Sequence, residues 1–130
     1  MNIVMRLLIL FAALYATGLT AQEIYSCEAR SAVVDAENLE SKSYDKVYPT
    51  IIINKDDNSL SYVYSAHGMQ FKTIFQIEAQ SADKLIGIYM FNENEVQIIH
   101  MDKVTKKFNR FFSGGDLGWG NTLTAGRCFN

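Results

Sequence analysis

The chain has 130 residues, of which 12 are basic and 14 acidic, and its formal net charge is −2. The charges form no long run of one sign, which excludes a polybasic tail and argues against a nucleic-acid partner. Hydrophobic residues make up 48% of the chain and aromatic residues 12%, enough for the core of one small domain.

Residues 1–21 differ in composition from the rest of the chain. A basic residue precedes an apolar run from Leu7 to Leu19, and small residues follow. This order is typical of a secretory signal peptide, because the run is too short for a stable membrane span and lacks a basic flank behind it. Cleavage is predicted near Ala21, with a cut slightly upstream or an uncleaved anchor helix as alternatives. Residues 22–130 would then be a single periplasmic or secreted β domain, with no membrane span in the mature chain.

The first predicted strand covers residues 24–34, where apolar and polar residues alternate around Cys27. The second of the two cysteines, Cys128, lies near the end of the chain. In an exported protein such a pair is expected to form a disulfide, which here would join the terminal strands. The alternative is that Cys27 is a lipidated lipoprotein cysteine, although Tyr25 is bulky for the motif that precedes one. Residues 35–46 are polar and predict a surface loop or a single helical turn.

The clearest structural signal is the stretch from Tyr48 to Ser65. Three consecutive isoleucines precede the turn residues 56–59, and Leu60, Tyr62 and Tyr64 then alternate with smaller or less apolar neighbours. This pattern predicts an antiparallel hairpin. Residues 66–68 predict the next turn and residues 69–79 the next strand.

The second half of the chain continues as short predicted strands separated by turn residues. The segment 85–91 is apolar on both parities, which predicts a strand buried on both faces, with Gly87 at a bulge or bend. Further strands are predicted at 96–101, 108–112 and 123–128. The expected fold is all-β: a single antiparallel barrel or sandwich, a meander of about 7–8 strands.

The hairpin pattern of residues 51–65 returns in residues 99–113, where a strand, an Asx-Lys turn and an aromatic strand follow each other again. A duplicated hairpin would explain the likeness. The alternative, which the two copies alone favour, is that hairpins in general share this pattern.

A loop rich in glycine follows residue 112 and contains the only tryptophan. No Gly-Lys-Ser/Thr follows, so it is not a phosphate-binding loop. Its residues Gly115, Asp116 and Trp119 are candidates for a partner-binding loop, with a plain strand connection as the alternative. A basic group, Lys103, Lys106, Lys107 and Arg110, is interpreted as solvated charge around a hairpin turn, with contact to an acidic partner or a membrane surface as the alternative.

Catalytic and metal motifs do not stand out. The two histidines, His67 and His100, lack metal-ligand spacing, and Asp56 and Asp57 lack the remaining ligands of a calcium loop. No G-x-S-x-G sequence occurs. We therefore predict no catalytic residues, no metal, no cofactor and no enzyme activity.

Two short segments are similar to the periplasmic inhibitors of C-type lysozyme. They are Tyr25-Ser26-Cys27-Glu28, close behind the signal peptide, and the stretch that begins Ser65-Ala66-His67-Gly68. Those inhibitors are small β-barrels with an early Y-x-C and a loop of the form S-G-x-x-Y; here alanine stands where that loop has glycine. The resemblance implies that Ser65, His67 and Gly68 lie near an inhibitory loop.

The sequence is therefore compatible with three functions. The first is a non-enzymatic binding module whose partner is an envelope or extracellular protein. The second is an inhibitor or immunity-type protein against a cell-wall hydrolase such as lysozyme. The third is a small hydrolase, which would need a concave pocket with a buried, perturbed carboxylate or histidine.

Overall fold

The structure, a computed structural model, describes residues 21–35, 38–93, 95–114 and 121–130. The signal peptide predicted up to Ala21 and the loop residues Gly115, Asp116 and Trp119 lie outside these ranges, apart from Ala21 itself. The strands of the described chain are β1 (Gln22–Val34), β2 (Ser41–Ser43), β3 (Thr50–Asn54), β4 (Ser59–Ala66), β5 (Met69–Gln80), β6 (Lys84–Asn92), β7 (Glu95–Asp102), β8 (Lys107–Gly114) and β9 (Asn121–Cys128).

Eight of these strands close into an antiparallel barrel. β1 pairs with β3, each later strand pairs with the next, and β9 returns to pair with β1. The remaining strand, β2, is a short, exposed addition to the edge of β1, inside the segment predicted as a loop or helical turn. The predicted all-β antiparallel barrel is confirmed, because one sheet closes on itself instead of two sheets stacking as a sandwich.

β1 closes the barrel because both of its edges are used. Residues 22–26 pair with β3, and residues 27–34 pair with β9 on the other edge. Cys27 and Cys128 lie opposite each other in the second ladder, and their sulfur atoms are bonded. The predicted disulfide between the terminal strands is confirmed, so the sulfur of Cys27 is not free to carry a lipid.

The two hairpins with the repeated sequence pattern have the same turn. Each turn ends in a residue with positive φ, Asn58 at 54° and Lys106 at 59°. Each follows an Asx residue, Asn54 or Asp102, whose side-chain oxygen accepts a hydrogen bond from the backbone N–H two residues later, at 3.3 and 2.9 Å. Such Asx turns stabilise a reversal locally. The repeated pattern therefore encodes one hairpin geometry used twice.

Side chains alternate between the interior and the exterior of the barrel, as the period of a strand requires. The interior core consists of Cys27, Ala29, Ile51, Ile53, Leu60, Tyr62, Phe75, Ile77, Leu85, Ile99, Met101, Phe108 and Cys128. Because strands 3 to 9 follow one another around the barrel, every predicted strand contributes its inward parity to this core.

The prediction that residues 85–91 are buried on both faces is wrong. The inward side chain of Leu85 is buried, but the outward Ile86 and Met90 are 38% and 68% exposed, and Phe91, at the register shift between Met90 and Asn92, is 66% exposed. The physical reason is the barrel itself, which is one layer thick: within the described ranges, nothing packs on the outside of β6. Apolar residues on the outer parity therefore face solvent.

Gly87 has a different role from the one expected. It pairs in register with Ile77 and Ile99, and the bulge lies on the neighbouring strand, where the β5 register shifts between Ile77 and Ala79. A Cβ atom at Gly87 would stand 2.8 Å from the Cβ of Phe75. Glycine is therefore required by close packing inside the barrel and not by a bend in its own strand.

Candidate functional site

The barrel has two ends with different connections. Turns at residues 55–58, 81–83 and 103–106 lie at one end, which we call the turn end. The opposite end, the loop end, has the turn at residues 67–68, and β8 finishes there while β9 begins there. The chain between β8 and β9 includes Gly115, Asp116 and Trp119, which lie outside the described residues. Both segments predicted to bind a partner therefore join the barrel at the loop end.

The hairpin between β4 and β5 has a two-residue turn. Ala66 pairs with Met69, and the two residues between them, His67 and Gly68, have φ values of 53° and 72°. Positive φ at both positions is the type I′ geometry that suits the twist of a hairpin. The predicted turn is confirmed, and it holds His67 and the neighbouring Ser65 exposed at the rim of the loop end.

A surface groove of about 380 Å³ lies beside this hairpin. It separates β4 and β5 from the chain that leads into β3. Tyr48, which is 69% exposed, stands in it next to the buried Pro49. The residues that line it are Lys46, Val47, Tyr48, Thr50, Val63, Tyr64, Ser65 and Gln70. Sequence reasoning identified Ser65 but missed the opposite wall, because nothing in the order of residues shows that 46–50 and 63–70 share a surface.

Aromatic stacking holds one wall of the groove in place. The rings of Tyr64 and Phe71 stack with centroids 5.1 Å apart and planes at 19°. Tyr62, beneath them in the core, meets the Tyr64 ring edge-on at 5.8 Å. A stack anchored to a buried ring gives this part of the rim a fixed shape.

Charged residues next to the groove are paired. Glu28 accepts hydrogen bonds from Arg127 at 2.6 Å and from Lys46 at 3.3 Å. These two bonds, that from Arg127 first, hold the pKa of Glu28 below its ordinary value, because they favour the charged carboxylate. Glu28 therefore pairs with Lys46, which lines one end of the groove.

Arg110 does not have the position expected from the sequence. It was interpreted as part of a solvated basic turn with Lys103, Lys106 and Lys107, but its side chain points into the barrel. Its Nε and Nη2 atoms donate to Oε1 of Gln97 at 3.1 and 2.7 Å. Its guanidinium carbon lies 4.8 Å from the centre of the Tyr62 ring. The missed signal was the parity of Phe108, Arg110 and Phe112, which share one face of β8.

A second polar pair lies beside this arginine. Thr124 is the register partner of Arg110 and is buried, and its hydroxyl lies 2.7 Å from the hydroxyl of Ser31. Burial raises the pKa of Tyr62 to about 12, and the charge of Arg110 opposes that rise. The middle of the barrel thus contains a polar layer on the loop-end side of the apolar core.

An apolar row crosses the outside of the barrel. Consecutive register partners on five adjacent strands form it: Ile88, Ile98, Phe111, Leu123 and Ala32. Ile98, Phe111 and Leu123 are 37%, 50% and 43% exposed. Exposed apolar surface of this continuity often marks a contact surface. We call these five residues the outer row.

The arrangement brings together few groups that could do chemistry. His67 lies in the turn at the loop end, whereas His100 lies on the outward parity of β7, next to Asn109 on β8. No cluster of three His, Cys, Asp or Glu side chains that could hold a metal ion occurs in the part of the chain that the structure describes. In the same ranges no helix is long and apolar enough to cross a membrane.

The fold and the groove define a small disulfide-bonded β-barrel with a shaped surface at one end. No protein-family model matches the chain, and no curated protein is similar to it at a significant level.

Proposed function

We propose that this protein is an exported, non-enzymatic binding protein, and that it binds a protein of the cell envelope or the extracellular space with the loop end of its barrel. The observation that carries this proposal is the groove beside Ser65. It is the place where an exposed tyrosine, a paired lysine and a rigid two-residue turn occur together.

The chemistry of the groove supports a protein partner. Tyr48 offers a large ring with a polar hydroxyl, the kind of side chain that is enriched at protein interfaces. Gln70 and Ser65 supply hydrogen-bonding groups beside it. Because the turn and the stacked rings have fixed geometry, little conformational entropy would be lost when a partner binds.

The compartment is supported by covalent structure as well as by sequence. A disulfide is stable in an oxidising compartment and rare in the cytosol, and this chain has one between β1 and β9. The segment predicted as a signal peptide, up to Ala21, supports export. Cleavage near Ala21 and residence in the periplasm or outside the cell remain part of the proposal.

Site-specific photo-crosslinking tests the proposal. A photoreactive amino acid is placed at Tyr48, in the groove, or at Val104, at the turn end; both positions are 69% exposed in the wild type. We expect a discrete adduct with an envelope or secreted protein from Tyr48 and none from Val104. Equal labelling from both positions, or no adduct from Tyr48, would contradict a binding site in the groove.

Inhibition of a cell-wall hydrolase is the second candidate, and the exposed rigid hairpin at Ser65 to Gly68 favours it. A hydrolase cleft can accept a narrow, preorganised turn, and this turn projects two side chains of the rim. Lysozyme activity would be measured with the wild type, Ser65→Ala and Gly68→Ala. Inhibition by the wild type that weakens in both variants supports this version, and absence of inhibition by the wild type rules it out.

A further inference from the structure

The interior of the barrel changes character from the turn end to the loop end. Near the turn end the inward side chains are apolar and almost fully buried, such as Leu60, Leu85 and Phe108. The next layer contains Arg110, Gln97 and Thr124. Beyond it, towards the loop end, the inward side chains become partly exposed, with Phe71 at 38%. Among the described residues, the inward side chains near the loop end are thus partly exposed, and Arg110 lies between them and the apolar core.

Arg110 is only partly satisfied by its surroundings. A guanidinium has five N–H donors, and two of them converge on the single oxygen of Gln97. The edge formed by Nη1 and Nη2 shares only Nη2 with the hydrogen bonds to Gln97. None of the ion pairs found among the described residues involves Arg110.

Arg110 is half-buried, and a charge that has lost part of its hydration gains from pairing with a counter-ion. Tyr62 offers the face of its ring at 4.8 Å and a side-chain hydrogen bond to Arg110, which compensate in part. Gln97 fixes the orientation of the guanidinium plane, since Nε and Nη2 bind the same atom. The side chain is therefore oriented in advance for a planar anion at its Nη1–Nη2 edge.

We propose that the loop-end interior of the barrel is a binding site for a carboxylate attached to an apolar or aromatic body. The carboxylate pairs with the Nη1–Nη2 edge of Arg110, and the body lies against the inward aromatic side chains nearer the rim, Tyr64, Phe71 and Phe112. This site adjoins the groove, because Tyr64 lines both, but it lies on the inward parity, whereas the register partners Thr50 and Val63 that line the groove lie on the outward parity.

Titration with benzoate tests the proposal, with benzamide as its uncharged analogue and inorganic phosphate as an anion of different shape. The nitrogen-detected NMR signals of the arginine guanidinium groups are followed at constant ionic strength. We expect benzoate to shift the Arg110 signals saturably, and benzamide to bind about tenfold more weakly or less. Because this measurement uses the wild type, it does not depend on any variant folding.

Two variants complete the experiment. Arg110→Gln removes the charge inside the barrel, whereas Arg30→Gln removes an exposed arginine on the outward parity of β1. We expect benzoate to raise the unfolding temperature of the wild type and of Arg30→Gln but not that of Arg110→Gln. Equal shifts of the Arg30 and Arg110 signals, or a response to phosphate alone, would overturn the proposal.

Discussion

Gly126 shows how closely the barrel is packed at the level of a single residue. It lies inside the barrel on β9, opposite Phe108 on β8 and Ala29 on β1. A methyl group at this position would overlap the Phe108 ring and stand 2.7 Å from the carbonyl oxygen of Glu28. The ring is itself buried and the carbonyl belongs to a strand backbone, so neither can move far.

We therefore expect Gly126→Ala to lower the free energy of unfolding by about 2 kcal/mol, the usual cost of overpacking a core. Urea denaturation measures this value. Gly68→Ala is the control, because a Cβ there meets nothing within 4 Å and only the positive φ of 72° is penalised, at about 1 kcal/mol. Phe108→Leu should restore part of the loss in the Gly126→Ala background. A double variant that shows simple additivity would contradict the steric explanation.

Asp102 links a single carboxylate to the pH dependence of stability. Backbone N–H groups of Thr105 and Val104 donate to it at 3.1 and 2.9 Å and hold its pKa below the ordinary value of 3.8. Since the folded pKa is the lower one, the stabilisation is present above pH 3.8 and is lost as the pH falls through the folded pKa.

Asp102→Asn separates the hydrogen bonds from the charge. Asparagine occupies the equivalent position, Asn54, in the other hairpin and forms the same Asx turn there. We expect the variant to fold at neutral pH and to lose less stability than the wild type on acidification below pH 3.8. Urea denaturation over a series of acidic pH values measures the difference. Parallel curves for the two proteins would show that Asp102 makes no contribution.

At the level of elements, the two equivalent hairpins differ in the residue that holds the left-handed position. Lys106 has no special tolerance for a φ of 59°, whereas asparagine adopts such values more readily. Asn58 also donates a hydrogen bond from its side chain to the carbonyl oxygen of Ile77 at 3.0 Å. The same change to glycine should therefore have opposite effects at the two turns.

We expect Lys106→Gly to raise the free energy of unfolding by about 0.5 kcal/mol, because relief of the left-handed strain exceeds the added freedom of the unfolded chain. We expect Asn58→Gly to lower it by about 1 kcal/mol through the lost hydrogen bond. Thermal and urea unfolding of both variants check the signs. Stabilisation at both turns would show that the Asn58 bond has no net value.

Single strands also show where sequence reasoning succeeds and fails. Alternation in residues 24–34 and 59–65 predicted strands whose inward parity is the core, because the period of a strand is local. The prediction for residues 85–91 was wrong, because a strand that is apolar on both parities is usually buried on both faces. The outward apolar residue Ile88 of this strand belongs to the outer row. It lies in line with Ile98, Phe111, Leu123 and Ala32 only after the barrel has brought four other strands together with β6.

At the level of the whole molecule, the turn residues and the terminal cysteines were enough to predict a closed meander. The site was less predictable. Ser65, His67 and Gly68 stood out as a turn, but the groove also needs Lys46 and Tyr48, which reach it through the pairing of β1 with the chain that enters β3. Arg110 was assigned to the surface because charge is usually solvated. Its inward position depends on register, which is a property of the closed barrel.

Closure of the barrel leads to a prediction about its covalent bond. Cys27 and Cys128 are 101 residues apart in sequence, and their disulfide holds the β1–β9 seam, the ladder that closes the barrel. A bond across so long a loop is expected to stabilise the folded state by about 4 kcal/mol, chiefly by restricting the unfolded chain. That is a large share of the stability of a small domain.

Three forms of the protein test this role: the oxidised wild type, the reduced wild type, and the double variant Cys27→Ala/Cys128→Ala. We expect both forms without the bond to lose about 4 kcal/mol in urea denaturation, because each removes the same restriction. Thiol titration of the unfolded, unreduced wild type should find no reactive cysteine. If only the double variant lost stability, packing of the two side chains and not the cross-link would account for the effect, since the reduced protein keeps both sulfur atoms in the seam.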